Sequence, residues 1–307
     1  MKLFEVLAVG DANIDTTIKV DHLPKHDDKV LGEKVSSQIG GTVANSACVL
    51  GSLGVKVTAL AKVGTDGHGA EILNEYAKYN IDTSFVEQIE GFEANQAIIM
   101  LDDTGEKSLI FVPACHYEYS KSRAMLAVSQ AEYLYTMPGD ICKFVEIAAL
   151  AYKYETKVVV DIESTIVASK EDTHAILTHS DIVFFNEEGF TKAIEQDLTE
   201  EILHILIEQY NLDTIIVTLG ANGVLAANNK GEIERHSGFE VEVIDTTGAG
   251  DTFNASFLFS KINGYQLDKS LEFSCAAAAY SIGGLGPKGA VPTIECVTEF
   301  LLVTTSR

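Results

Sequence analysis

One pattern constrains this chain more than any other: short apolar runs alternate with stretches of helical period along most of its length. Strands of that kind, separated by helices, assemble as βαβ units into a largely parallel sheet. The predicted strands are Phe4–Val9, Val57–Val63, Ala131–Tyr135, Val158–Ile162, Ile182–Phe185 and Thr214–Thr218. The predicted helices are Ala44–Leu53, Gly69–Tyr79, Ile141–Tyr152, Glu200–Tyr210, Gly250–Lys261 and Leu267–Ile282, with Thr293–Val303 closing the fold. Several strands run out into polar residues or glycine, at Gly10-Asp11, Asp161, Asn186 and Gly220. Open α/β sheets bind ligands beyond the carboxyl ends of their strands, so these residues are predicted to line a site. Two segments break the rhythm. Thr16–Val20 with Val30–Ser37, and Asn95–Leu101 with Ser108–Val112, read as hairpin pieces that could form a small second sheet.

With 307 residues, 46% of them hydrophobic and 22% charged, the chain can bury a substantial core as one large α/β domain or two modest ones. No stretch approaches the roughly 20 apolar residues that a membrane span needs. The first ten residues carry Glu5 and run into Gly10-Asp11, so they read as a buried strand rather than a signal peptide. Cys48, Cys115, Cys142, Cys275 and Cys296 show no paired spacing for zinc or disulfides and are expected to be core residues of a reducing cytoplasm. A net charge of −23 argues against nucleic acid and anionic membranes as partners. It also means that binding ATP would have to rely on backbone dipoles and metal ions. The eight histidines, His22, His26 and His68 among them, lie in polar surroundings and are expected at the surface.

The run Asp245-Thr246-Thr247-Gly248-Ala249-Gly250-Asp251 leads directly into Thr252–Leu258 and reads as a small-residue turn opening a helix. Gly248, Ala249 and Gly250 let backbone amides approach an anion, and a helix N-terminus favours negative charge. Asp251 would stand beside that anion, placed to take a proton. A base next to an anion hole is the minimal equipment for moving a phosphoryl group onto a hydroxyl. A plain helix start, with Asp complementing the dipole, is the alternative reading. Upstream, Ile39-Gly40-Gly41-Thr42-Val43-Ala44-Asn45 pairs glycines that admit close backbone approach with an Asn that can both donate to and accept from vicinal hydroxyls. Asn13 and Asp15 project to one face by alternation. Gly284 to Gly289 satisfies G-x-G-x-x-G but follows a helix rather than a strand, so the dinucleotide fingerprint does not apply. As a loop after a helix, this segment with Gly286 suits the adenine side of a nucleotide site. No G-x-x-x-x-G-K-[ST] sequence is present, which excludes a P-loop.

The Asp245–Asp251 run resembles the D-T-x-G-A-G-D signature of the ribokinase-like (PfkB) carbohydrate kinases, and Gly40-Gly41 with Asn45 resembles their G-G-x-x-x-N signature. The resemblance spans nearly the whole chain. It implies a three-layer αβα fold with a mostly parallel central sheet and a small lid sheet drawn from about residues 15–37 and 93–113, within a single domain over residues 1–307. It implies that Asp251 is the base, that the Gly248–Gly250 amides bind the phosphoryl group, and that Asn13, Asp15, Gly40, Gly41 and Asn45 bind the sugar. Asn186, Thr218, Gly220, Gly223 and Gly286 would lie at the nucleotide. Asp245, Thr247, Gly284, Gly289 and Thr293 would enclose a monovalent cation such as K⁺. The implied partners are a small sugar, ATP with Mg²⁺, and a second copy of the chain meeting it through the lid.

One departure stands out. Where the family carries N-x-x-E, whose Glu organises Mg²⁺, this chain has Asn186-Glu187-Glu188-Gly189. Glu187 or Glu188 could reach the same water shell, with Asp161 and Glu163 as alternatives; as first-turn acids the two glutamates would also simply favour the helix dipole. The loop after Gly41 has no Lys, which favours a neutral or singly anionic sugar such as ribose, fructose or a 2-keto acid sugar. A nucleoside kinase, with Phe92 and Phe111 near the substrate, is the alternative within the class. A sensor that binds sugar and nucleotide without turnover is the alternative outside it.

Overall fold

The structure is a computed structural model that describes residues 2–104, 106–114, 119–166 and 168–304. In chain order, β1 (Phe4–Val9), β2 (Asn13–Val20) and β3 (Gly32–Gly40) lead into α1 (Thr42–Ser52). Then follow β4 (Val57–Leu60), β5 (Lys62–Gly64), α2 (Gly67–Lys78), β6 (Glu87–Ile89), β7 (Asn95–Leu101) and β8 (Lys107–Val112). The central stretch runs α3 (Lys121–Ser129), β9 (Ala131–Thr136), α4 (Ile141–Lys153), β10 (Lys157–Ile162), α5 (Lys170–Thr178), β11 (Ile182–Asn186) and α6 (Glu187–Ile194). The last third is α7 (Glu200–Tyr210), β12 (Thr214–Thr218), β13 (Val224–Asn228), β14 (Ile233–His236), α8 (Ala249–Ile262), α9 (Leu267–Ser281) and α10 (Ile294–Thr304).

Eight strands form the main sheet in the order β14-β13-β12-β11-β10-β9-β1-β4. The pairs from β12 to β4 are parallel, and β13 and β14 close one edge antiparallel. Alternation along each strand divides the core into two layers. Val6 and Ala8 of β1 and Ile182 and Phe184 of β11 pack with α1, α8 and α9, whereas Leu7, Val9, Val183 and Phe185 pack with α4, α6 and α7. This is the expected three-layer αβα architecture. Helix α8 is enclosed on every side because it lies in the middle of its layer, and each residue from Asp251 to Ser260 is buried, the polar Asp251, Thr252, Asn254, Ser256 and Ser260 included.

The small sheet has the order β3-β2-β7-β8, with β2 and β7 parallel and the other pairs antiparallel. Its strands begin two residues before the predicted lid and run to Gly40, so Asn13 and Asp15 stand on β2 rather than at the exit of β1. The predicted strand Val57–Val63 is divided at Ala61, because Val57–Leu60 pairs with β1 while Lys62–Gly64 pairs with β6. The hairpin β13–β14 and helices α3, α5 and α6 were not predicted.

The cysteine expectation holds for Cys48 and Cys275, which are buried; Cys142 is exposed at the start of α4, Cys296 is intermediate, and Cys115 lies outside the described residues. His22 and His26 are exposed as expected. No described helix is long and apolar enough to cross a membrane.

Candidate active site

Two helices that begin at the site start on glycine. Helices α2, α4, α5, α6 and α7 begin with a side chain of Asp66, Asp140, Ser169, Asn186 or Thr199 accepting a first-turn amide. Helices α1 and α8 begin instead at Gly41 (φ 100°) and Gly248 (φ 80°), with no side-chain cap. Only glycine adopts such backbone readily, and its lack of a side chain leaves the first turn open to a ligand. A Cβ on Gly248 would also lie 2.9 Å from Cα of Pro287.

These two helix starts lie side by side at a cleft of about 700 Å³ at the carboxyl ends of β10, β11 and β12. It is lined from below by Asn45, Gly248, Gly250 and Asp251, and from the small sheet by Asn13, Asp15, Leu109 and Phe111. Asn186, Thr218, Gly220 and Thr247 line the far end. Glu187 and Glu188 line it from the exposed first turn of α6. A larger hollow of about 820 Å³ lies between α3 and α4; of the strand-end residues predicted to line a site it takes Gly10 and Asp11, and none of the signature residues.

Asp251 is 9% exposed and accepts a hydrogen bond of 2.7 Å from the side-chain amide of Asn45. Burial pushes its carboxyl up to about 7, the Asn45 bond and the Lys288 charge pull it down, and Glu163 and Asp15 raise it further. Ser46 donates to the backbone oxygen of Asp251 at 3.2 Å and to the Tyr135 hydroxyl at 3.1 Å, which bolts α1 to α8. Of the Gly248–Gly250 amides expected to bind a phosphoryl group, that of Ala249 donates to the Thr246 carbonyl at 3.2 Å within the turn. Two buried acceptor atoms, Asp15 Oδ1 and Asn45 Oδ1, have no hydrogen-bond donor among the described residues. Burial raises the Asp15 carboxyl above its ordinary value. Gly40 must lack a side chain, since a Cβ there would collide with the Asp15 carboxylate.

Asp161, at the end of β10, is held well above the ordinary carboxylate range by burial and by the nearby charges of Glu163 and Asp251. Glu163 is raised by burial alone. At Gly189 a Cβ would lie 2.5 Å from the Ile162 carbonyl oxygen and 3.2 Å from the Glu163 carbonyl carbon. The backbone between β10 and α5 therefore fills the space in which a side chain at 189 would start.

Other predicted residues lie around the cleft. Both Asp245 oxygens are engaged, Oδ1 by the Thr247 amide and hydroxyl and Oδ2 by the Gly286 amide at 3.0 Å. Gly284 and Gly289 are in close backbone contact within the same loop. Thr293 instead accepts from the Cys296 amide at the start of α10. Gly223 is not among the cleft-lining residues; its φ of 92° and tight contact with the His236 carbonyl serve the turn before β13. Phe92 is buried beneath Lys62, away from the cleft, whereas Phe111 lines it. Asp11, which had no assigned role, accepts from the Lys62 amide at 2.8 Å and the Tyr119 hydroxyl at 3.2 Å, and pairs with the Lys62 ammonium at 3.3 Å. Sequence reasoning missed Ser46, Tyr135 and Asn254, which carry no local motif and meet only when α1, β9 and α8 pack together.

Comparison with known proteins agrees with this fold. A family model described as pfkB family carbohydrate kinase matches residues 3–294. A ribokinase of Haemophilus influenzae is 29% identical, covering 95% of this chain and 97% of its own, and a ribokinase of Bacillus subtilis is 26% identical over 96% and 99%. The crystal structure of a ribokinase from Thermotoga maritima superposes with a TM-score of 0.82 at 26% identity, covering 98% of this chain and all of that one. With its matched signatures, its αβα layers and its smaller sheet, the chain belongs to the pfkB family of carbohydrate kinases, ATP-dependent phosphotransferases.

Proposed function

We propose that this protein phosphorylates a primary hydroxyl of a small neutral sugar of the ribose, fructose or 2-keto type, acting as a single kinase domain whose small sheet covers the sugar. The observation that carries the reading is the pair of unpaired acceptors. Asp15 Oδ1 and Asn45 Oδ1 are buried beside Asp251 without donors among the described residues. Buried acceptors demand partners, and sugar hydroxyls supply them. The described residues lining the cleft include no Lys or Arg, which supports a substrate without a phosphate of its own.

In this reading Asp251 takes the proton of the attacking hydroxyl. The open amides at the start of α8 steady the charge on the transferring phosphoryl group, and Asn45 holds the base by its amide and the sugar by its carbonyl oxygen. Asn186, Thr218 and Gly220 form the nucleotide end. Mg²⁺ supplies neutralisation of the triphosphate charge. Among the described residues no group of three or more His, Cys, Asp or Glu is gathered to hold a metal by itself, which suits an ion shared with phosphate oxygens and one or two carboxylates. Glu187 and Glu188 line the cleft where they could serve it, and the crowding at Gly189 makes their role here differ from the family pattern. Asp245 and Thr247 before α8 and Gly284 and Gly289 after α9 lie in two loops joined by the Gly286–Asp245 hydrogen bond, an arrangement suited to a monovalent cation, whereas Thr293 is committed to capping α10.

A coupled ADP-release screen over pentoses, hexoses and nucleosides, with and without K⁺, tests the proposal. Turnover with a sugar is the expected result, and turnover confined to nucleosides would replace it with nucleoside kinase. The exposed Leu109 and Phe111 on the cleft wall are the observation that favours that second reading. Binding of sugar and ATP without ADP release would identify a sensor. Ile110 and Val112, on the opposite face of edge strand β8, are 50% and 45% exposed and suit a homodimer contact through the small sheet. Light scattering of the purified chain checks this.

A further inference from the structure

The cleft is strongly acidic. Asp15, Asp161, Glu163, Glu187, Glu188 and Asp251 line it, and among its described lining residues there is no Lys or Arg to balance them. A base in such surroundings holds its proton unless a positive charge stands close by. Lys288 meets that need from just outside the wall. Its side chain is 8% exposed, and its ammonium donates to the backbone oxygen of Ile39 at the end of β3, with Glu75 of α2 at 4.0 Å.

The loop that carries Lys288 is pinned on two sides. Gly286 donates its amide to Asp245 and is pressed against the Gln38 side chain of β3, and Pro287 packs against Gly248 at the start of α8. Ile39 precedes Gly40, whose missing Cβ accommodates the Asp15 carboxylate. The loop thus joins the root of the small sheet, where the ammonium is held at Ile39 and which carries Asp15 opposite, to the helix start that carries Asp251.

We propose that Lys288 is a positioning residue for phosphoryl transfer, a fixed buried counter-charge that keeps Asp251 available as a base. The inference rests on the reading of Asp251 given above. The titratable groups facing Asp251 are Asp15 from β2, Tyr135 from β9, Asp161 at the end of β10, Glu163 just beyond it, and Lys288, with the neutral Asn45 amide of α1 hydrogen-bonded to it. Lys288 is the one cation in that set. Burial lowers the Lys288 ammonium from its ordinary value, while Cys48, Glu75, Asp15 and Asp251 hold its proton in place, and its charge draws the carboxyls of both aspartates down.

The test reads the carboxyl directly, in substrate-free protein. Aspartate-labelled chain is titrated by ¹³C-carboxyl NMR, with the Asp251 resonance identified by its loss in Asp251→Asn. Lys288→Met removes both charge and hydrogen bond, and Lys288→Gln removes the charge while keeping a donor for Ile39. Removing one partner of a buried charge pair costs stability, so thermal unfolding verifies that each variant is folded before it is titrated. In both neutral variants the Asp251 midpoint rises by about one unit, and in Lys288→Arg it stays near the native value. A packing role would change unfolding and leave the midpoint alone. An unmoved or lowered midpoint in a folded neutral variant overturns the proposal, as does an equal rise in Lys288→Arg. Lack of turnover on every sugar would sink the kinase reading instead, and leaves the midpoint experiment intact.

Discussion

Asn45 donates its side-chain amide to Asp251 across 2.7 Å, although the two residues stand 206 positions apart. The bond joins the two glycine-started helices at their first turns, and it leaves the Asn45 carbonyl oxygen buried with no donor among the described residues. One side chain therefore touches the proposed base and offers an acceptor to the proposed substrate.

Asn45→Ala removes both functions at once. Loss of a hydrogen bond to a charged group and of a substrate partner lowers kcat/KM by about 10²-fold. Because the bond holds the Asp251 carboxyl down, its removal also moves the acid limb of the pH–rate profile to higher pH. Steady-state kinetics on the sugar identified by the screen measure both effects, and an unchanged limb would separate Asn45 from the base.

The Asp251 carboxyl, pushed up to about 7, is protonated in much of the free enzyme below neutrality. A base must be ionised, so kcat/KM climbs as pH rises through about 7 and levels off above it. A profile already flat from about pH 5.5 would contradict the assignment. Asp251→Asn lowers turnover by at least about 10²-fold.

The same residue links pH to stability. Its folded value lies above the ordinary 3.8, so the native state holds the proton more tightly than the unfolded chain. The stability this group contributes is complete below about 4 and declines as pH rises through about 7. Asp251→Asn is accordingly more stable than the native chain at about pH 8, by about 1–4 kcal/mol, and the difference shrinks towards pH 4. Urea unfolding at the two pH values tests the sign.

Gly248 and Gly250 respond differently to alanine. At Gly248 the backbone is left-handed and a Cβ meets Pro287, so Gly248→Ala destabilises the fold by about 1–3 kcal/mol. At Gly250 a Cβ meets nothing within 4 Å. Gly250→Ala keeps its thermal midpoint while its methyl group, at the cleft wall, weakens turnover. Paired calorimetry and ADP-release assays distinguish the two, and a stability loss at Gly250 would contradict the geometry.

Restoring the family residue at 189 does not restore a metal contact. In Gly189→Glu the new Cβ runs into backbone at Ile162 and Glu163, neither of which is a flexible side chain. The variant loses about 1–3 kcal/mol by overpacking and gains no Mg²⁺ affinity in a titration with MgATP. Tighter MgATP binding in a stably folded variant would show that the loop yields.

Particular residues show how far the pattern of amino acids reaches. Strands such as Phe4–Val9 and Thr214–Thr218 match their predicted bounds because a continuous apolar run buried on both faces has few other solutions. The β13–β14 hairpin escaped because its strands are short and its outer one carries Glu234, Arg235 and His236. The cleft-facing side of Asn13 and Asp15 followed from alternation, but their strand did not. Phe92 and Phe111 looked equivalent as candidate substrate contacts, and only one reaches the cleft.

The sequence by itself determined the reaction class and the layered fold, since contiguous motifs and periodicity are local properties of the chain. The partnership of Asn45 with Asp251, the network through Ser46 and Tyr135, the crowding that requires Gly189 and the buried charge of Lys288 were decided only by tertiary structure. Each depends on elements far apart in the chain packing to within a few ångströms. Burial and proximity, which set the proton affinity of Asp251, are properties of that packing and of no single segment.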